Sequence, residues 1–241
     1  MVGVARATLR YGFSNGGLAM TKSDKRANAR HPQVVTLVID DSGSMAEEGK
    51  CQQVTEAVQD MVITMQSLNM GTHGYRFLLN ICKFGDGPSE VAVAATPGEV
   101  DVDALEFRGA SGGTDMLLAL QWADGALKKA LDRCRKTIPN YQEELAPNPL
   151  CVVISDGENT GEDPTPAAKA LHSISFKDGN VDVFAIGVGM QDVHFEVMKT
   201  IASQPKYAIR IDSEGLADFL GDVGGTVVEG TDVAELAAKK R

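Results

Sequence analysis

Three short stretches concentrate oxygen donors: Asp40-Asp41-Ser42-Gly43-Ser44, Gly112-Gly113-Thr114-Asp115 and Ser155-Asp156-Gly157. The candidate ligands among them are Asp40, Ser42, Ser44, Thr114 and Asp156, all carboxylates or hydroxyls, with no thiol or imidazole alongside. An all-oxygen set suits a hard cation such as Mg²⁺, with Mn²⁺ or Ca²⁺ as alternatives, rather than zinc or copper. In Asp-x-Ser-x-Ser, alternate residues face one side of a nearly extended loop, and Gly43 lets the backbone turn tightly around an ion. Mg²⁺ takes six oxygens at about 2.1 Å and normally keeps several waters. Five side chains therefore cannot all bind it directly. Hydroxyls on the ion, with carboxylates behind water, would leave it electrophilic and open to a carboxylate from outside.

Other chemistries compete for the same residues. Asp40-Asp41 after a strand invites an aspartate-based phosphatase or phosphotransferase using Asp40. Such a nucleophile wants a second Asp two residues on, where Ser42 stands, and a cation to neutralise the phosphoryl group. Lys83 is the nearest lysine in this reading. Purely structural roles also exist: Asp40–Ser44 as a helix cap and turn, Thr114 as a helix N-cap, Asp156 as a turn residue. By alternation, Asp41 faces away from the other donors. Glu158, Glu162 and Asp163 read as a solvated acidic loop. Gly187-Val-Gly-Met-Gln-Asp192 lacks the third glycine of a dinucleotide fingerprint and falls on the wrong strand. His31, His73, His172 and His194 have no zinc-site spacing. Trp122 and the methionines Met61, Met65 and Met70 read as packing residues.

The elements that must carry these residues alternate. Apolar, β-branched runs predict strands at Val34–Ile39, Tyr75–Phe84, Val91–Ala95, Leu150–Ser155, Val181–Val188 and Tyr207–Ile211. Helical spacing predicts helices over 50–68, 115–135, Pro164–Ser175, Val193–Ser203 and Leu216–Val228. In the third of these, Ala167, Ala170, Leu171 and Ile174 are expected to face inward. Gly85-Asp-Gly-Pro88 is a turn that makes a hairpin of the second and third strands. The fold class is α/β: a doubly wound, mostly parallel sheet of about six strands, one antiparallel edge strand, and helices on both faces. In such sheets ligands bind beyond the carboxyl ends of the strands. That is where all three oxygen-rich stretches fall.

The chain has 241 residues, 43% hydrophobic and 23% charged, which excludes collagen-like, disulfide-framework and wholly disordered classes. Its net charge of −10 is unevenly spread, because residues 1–30 hold six basic residues and one acid. A strongly acidic body repels phosphate backbones, so no nucleic-acid partner is expected. The organisation expected is a basic flexible arm over 1–31, one domain over 32–228 and a polar tail over 229–241. Met20 offers an alternative start. Cys51, Cys82, Cys134 and Cys151 are dispersed, as reduced thiols of a cytoplasmic protein would be. No membrane span is expected.

Asp40-x-Ser42-x-Ser44, Thr114 in Gly-Gly-Thr and Asp156 in Ser-Asp-Gly together resemble the complete metal-ion-dependent adhesion site of a von Willebrand factor type A domain. The resemblance covers roughly residues 33–225, in the right order. It implies that Ser42, Ser44 and Thr114 touch the ion directly or nearly so, and that Asp40 and Asp156 act mainly through water. A protein partner would supply a Glu or Asp to the open position. Gly112–Leu120 and the run from Pro149 to Gly157 resemble compact bacterial intracellular members, including tellurium-resistance-associated proteins. That resemblance implies a non-enzymatic, cytoplasmic interaction module in a stress or signalling assembly. Asp41 departs from the family pattern, in which a small or neutral residue is more usual. Pointing inward, it would raise metal affinity and weaken the pull on an external carboxylate.

Overall fold

The computed structural model describes residues 27–69, 74–176, 179–212, 215–216 and 218–221. Most of the basic arm, the tail, His73, Met70 and the end of the last helix lie outside them. The chain order is β1 (Gln33–Asp40), α1 (Lys50–Asn69), β2 (Phe77–Phe84), β3 (Pro88–Ala95), α2 (Met116–Thr137), β4 (Leu150–Ser155), α3 (Thr165–His172), β5 (Ser175–Phe176), β6 (Gly179–Asn180), β7 (Asp182–Val188), α4 (Asp192–Ile201) and β8 (Ala208–Ile211).

Six strands form one sheet in the order β3-β2-β1-β4-β7-β8. Every pairing is parallel except β2 with β3. This is the expected α/β architecture, with the hairpin supplying the antiparallel edge. All eight residues of β1 and all six of β4 are buried, as strands covered on both faces must be. Asn80 is buried within the sheet, where it donates to Thr36 Oγ1 and accepts from Ala94 N. Its polar groups are thereby satisfied beside an irregularity in the β2–β3 register.

The helices bury the faces their spacing requires. In α1 these are Val54, Val58, Met61, Val62 and Met65, and in α2 Met116, Ala119, Leu120, Ala123 and Leu127. Two local expectations change. The third helix stops at His172: beyond it the Ile174 N–H closes a tighter turn onto the Leu171 carbonyl at 3.2 Å, and Ser175–Phe176 pairs with Gly179–Asn180 in a small separate hairpin. Its buried face uses Ala167, Ala168 and Leu171, with Ala170 exposed. Strand β3 also starts earlier than expected, at Pro88, since an edge strand need not be apolar to pair.

The register then places the site. Ile39 stands opposite Ile154 in the β1–β4 ladder and Asp40 opposite Phe84 in the β1–β2 ladder. The carboxyl ends of β1 and β4 therefore finish side by side, with Asp40 and Ser155 at the same level.

Candidate metal centre

Asp40 is the last residue of β1 and is fully buried. Its Oδ2 accepts from Ser155 Oγ at 2.6 Å and its Oδ1 from the Ser42 N–H at 2.8 Å. Both donors are neutral. Burial pushes the carboxyl up to about 6, against the pull of the Ser155 and Ser42 hydrogen bonds, and the nearby Asp156 charge pushes the same way.

The chain then makes a short 3₁₀ turn over Gly43–Gly49. Ser42 occupies the N-cap position, yet its side chain makes no capping bond. Its Oγ instead lies 3.2 Å from Ser44 Oγ. Ser44 Oγ donates across to Asp156 Oδ1 at 2.7 Å. The helix-cap reading of Asp40–Ser44 is therefore not what the hydroxyls do.

Asp156 sits just beyond β4, and its side chain is only 1% exposed. Its second oxygen accepts from Lys50 Nζ at 2.7 Å. Lys50 is the residue the sequence reading missed. It opens α1, six residues after Ser44. Lys83, the expected lysine, turns away, with its ammonium donating to the Glu106 carbonyl and lying 5.0 Å from the centre of the Phe107 ring.

Thr114 is buried and held from both sides. Its N–H donates to Thr160 Oγ1 at 2.8 Å, and the Thr160 N–H returns to its carbonyl at 3.0 Å. The helix N-cap, the alternative role open to Thr114, is made by Asp115, whose side chain accepts from the Leu118 N–H. Gly113 lets the Asp86 and Thr160 side chains pack close to this loop, since a Cβ there would lie 2.5 Å from Asp86 Oδ1 and 3.0 Å from Thr160 Oγ1, and those side chains would have to shift. Gly157 is the meeting point of the set. A Cβ on it would lie 3.3 Å from Ser44 Oγ and 3.8 Å from Thr114 Oγ1, so both hydroxyls border the space beside Gly157.

Asp41 faces the other way, as alternation predicts. Its Oδ1 accepts from the N–H groups of Arg108 and Gly109, both at 2.7 Å. It organises the loop that leads to Ser111, whose N–H donates to the Asp41 carbonyl. Of the remaining acids, Asp163 accepts from Thr165 at the start of α3, and Glu158 lies 3.9 Å from His194. At the end of β7, Gly187 gives room to Phe195, and Gly189 takes a positive φ of 60° in the following turn.

The donors are of the kind a hard divalent cation takes: Ser42, Ser44 and Asp156 follow one another at hydrogen-bond distance beside Asp40, and Thr114 Oγ1 borders the space beside Gly157. Among the described residues no group of three His, Cys, Asp or Glu side chains that could hold a metal ion comes together.

The sequence profile of the von Willebrand factor type A domain matches residues 35–222, and the chain belongs to that family. No curated protein matches it by sequence. Among solved structures it is similar to a pilus adhesin of Lactobacillus rhamnosus GG, with TM-score 0.62 and 15% identity over 86% of this chain and 32% of that one. It is also similar to proximal thread matrix protein 1 of the mussel byssus with a zinc-occupied metal-ion-dependent adhesion site motif, with TM-score 0.56 and 18% identity over 84% and 47%. A third is the von Willebrand factor domain of the type V pili tip protein of Porphyromonas gingivalis, with TM-score 0.57 and 14% identity over 84% and 97%. The chain thus spans about a third of the adhesin and about half of the byssal protein.

These likenesses correct one expectation. The cytoplasmic placement rested on four reduced cysteines, all buried and free here, and on resemblance to intracellular members. The similar structures are pilus and byssal-thread proteins instead. Buried cysteine is simply a small hydrophobe in this fold, and does not report a compartment. No helix among the described residues is long and apolar enough to cross a membrane.

Proposed function

We propose that this chain is a non-enzymatic interaction module that captures a carboxylate of a protein partner through a divalent cation at Asp40, Ser42, Ser44, Thr114 and Asp156. Mg²⁺ is the first choice, with Mn²⁺ or Ca²⁺ as alternatives. The observation that carries this reading is the continuous polar chain from Ser42 through Ser44 to Asp156, which joins the ends of two strands beside buried Asp40. Bound there, the ion supplies an electrophilic position that a Glu or Asp side chain can occupy. The residues' part is to present neutral hydroxyls toward it and to keep the two carboxylates fixed by neighbours. The adhesin and matrix proteins of similar fold support a binding role, and the byssal protein's zinc-occupied motif supports a metal.

The interaction domain is proposed to span 32–228, with the basic arm and polar tail outside it. Finer kinship with tellurium-resistance-associated members rests on the 112–120 and 149–157 runs. The phosphatase alternative loses ground on geometry: both Asp40 oxygens already accept hydrogen bonds, and the side chain is fully buried. A nucleophile needs an accessible oxygen.

The test is a thermal melt of the chain with and without Mg²⁺ or Mn²⁺. Metal at about 100 times its dissociation constant is expected to add about 2.7 kcal/mol, a rise of about 5–10 °C for a domain of this size. Asp40→Ala and Thr114→Ala are each expected to abolish the rise. An unchanged melt of the unmodified chain at saturating metal would sink the reading.

A further inference from the structure

Lys50 is tied to the site rather than to solvent. Its side chain is 11% exposed, and its ammonium sits 2.7 Å from a carboxylate that is 1% exposed. The two oxygens of Asp156 serve different neighbours. Oδ2 takes the ammonium, while Oδ1 takes Ser44 Oγ, itself 3.2 Å from Ser42 Oγ. A single carboxylate therefore separates the fixed positive charge from the hydroxyl pair. The other cations nearby are committed elsewhere, Lys83 to the Glu106 carbonyl and Arg108 to the Glu106 carboxylate.

Resting on the metal-binding reading above, we propose that Lys50 is a positioning residue that sets the balance between the site's two affinities. It acts through Asp156 as a built-in counter-cation. Asp40 and Asp156 offer two negative charges, and Lys50 cancels one of them. In a partly dehydrated site that loss weakens the hold on a divalent cation. The same loss leaves more of the bound ion's charge uncompensated, and so strengthens its pull on an incoming carboxylate. The arrangement gives up metal affinity for ligand affinity. A purely structural role, pinning the start of α1 to the end of β4, would change stability but neither affinity in this reciprocal way.

The experiment uses the full chain and two probes, Mn²⁺ and acetate. Mn²⁺ affinity is measured by calorimetric titration. Acetate binding to the Mn²⁺-loaded protein is read from the fall in water-proton relaxation enhancement. Lys50→Met is expected to bind Mn²⁺ about tenfold more tightly and acetate several-fold more weakly, while Lys50→Arg keeps both affinities near those of the unmodified chain. Should Lys50→Met fail to fold, Lys50→Gln, which keeps a hydrogen-bond donor for Asp156 without the charge, carries the same expectation. Unmodified protein that binds Mn²⁺, with neutral variants that bind it equally or more weakly, overturns the role of Lys50 and leaves the metal site standing. Absence of Mn²⁺ binding in the unmodified chain and in every variant overturns the metal site, and this proposal with it.

Discussion

The proposed site has two halves that solve one problem differently. At the end of β1, Asp40 is buried among neutral donors, a hydroxyl and an amide, and burial raises its carboxyl to about 6. At the end of β4, Asp156 is equally buried but already holds an ammonium. Among the described residues, the first half is a negative charge without an ion-pair partner, and the second is a negative charge that has one. In a low-dielectric setting these are opposite energetic situations. The two aspartates, equivalent as members of one motif, should therefore respond oppositely to neutralisation when no metal is bound.

The largest effect is expected on the β4 side. Asp156→Ala leaves the Lys50 ammonium buried without its partner, and breaking one side of such a pair costs about 3–5 kcal/mol. Urea unfolding in chelator at pH 7.5 measures it. A cost under about 1 kcal/mol would mean that Lys50 swings out to water freely, and that the second half is no more committed than the first.

On the β1 side the sign reverses. Asn at position 40 keeps an oxygen for the Ser42 N–H and can donate to Ser155 Oγ, while removing the charge. Asp40→Asn is expected to stabilise the metal-free protein by about 3 kcal/mol at pH 7.5, in the same urea experiment, even as it abolishes the metal-induced rise. Destabilisation in chelator would show that Asp40 already has a counter-charge, and the contrast between the halves would collapse.

The pH dependence sharpens the same point. Asp40 titrates near 6 when folded and 3.8 ordinarily, so the folded state holds the extra proton between those values. Its favourable contribution is complete below about pH 3.8 and is lost as pH rises through about 6. Glu99 runs the opposite way. Hydrogen bonds from Arg133 and Thr96 hold it down at about 2, so its contribution is present above about 4.5 and lost as pH falls. The difference in stability between Asp40→Asn and the unmodified chain isolates the first term. That difference should grow from pH 4 to pH 7 and then level off. A flat difference would remove the raised carboxyl from the account.

What could be read from the sequence divides along the range of the interaction. Asp40, Ser42 and Ser44 lie within five residues, and their strand is a continuous apolar run, so both the motif and its place at a strand end are local signals. Thr114 and Asp156 announce themselves through Gly-Gly-Thr and Ser-Asp-Gly at the borders of equally clear elements. The parallel sheet follows from the alternation of runs, and the hairpin from Gly85–Pro88. Lys50 gives no such signal. It reaches Asp156 across 106 residues of sequence from the first turn of a helix, where a lysine ordinarily means a solvated face. A search for cations among residues that open the helix after an Asp-x-Ser-x-Ser strand end would have found it. The boundary of α3 was hidden for a related reason. The apolar spacing continues to Ile174, while the chain tightens at the Ile174 N–H to Leu171 carbonyl turn and leaves into the hairpin at Ser175.

The smallest effect tests the residue between the two halves. Asp41 follows Asp40 directly, yet its carboxylate accepts the Arg108 and Gly109 amides on the far side of the strand end. Removing it in Asp41→Ala leaves two backbone donors to find water, a cost of about 1–2 kcal/mol, with the metal-induced rise in melting temperature unchanged. Asp41→Asn keeps an acceptor oxygen and is expected to recover most of that loss. The charge itself is the discriminating variable. A metal-induced rise that changes in Asp41→Asn, where the hydrogen bonds survive and only the charge is gone, would place Asp41 in the ion's electrostatic surroundings. The divide between a charge that serves the loop and charges that serve the site would then have to be redrawn one residue further along the chain.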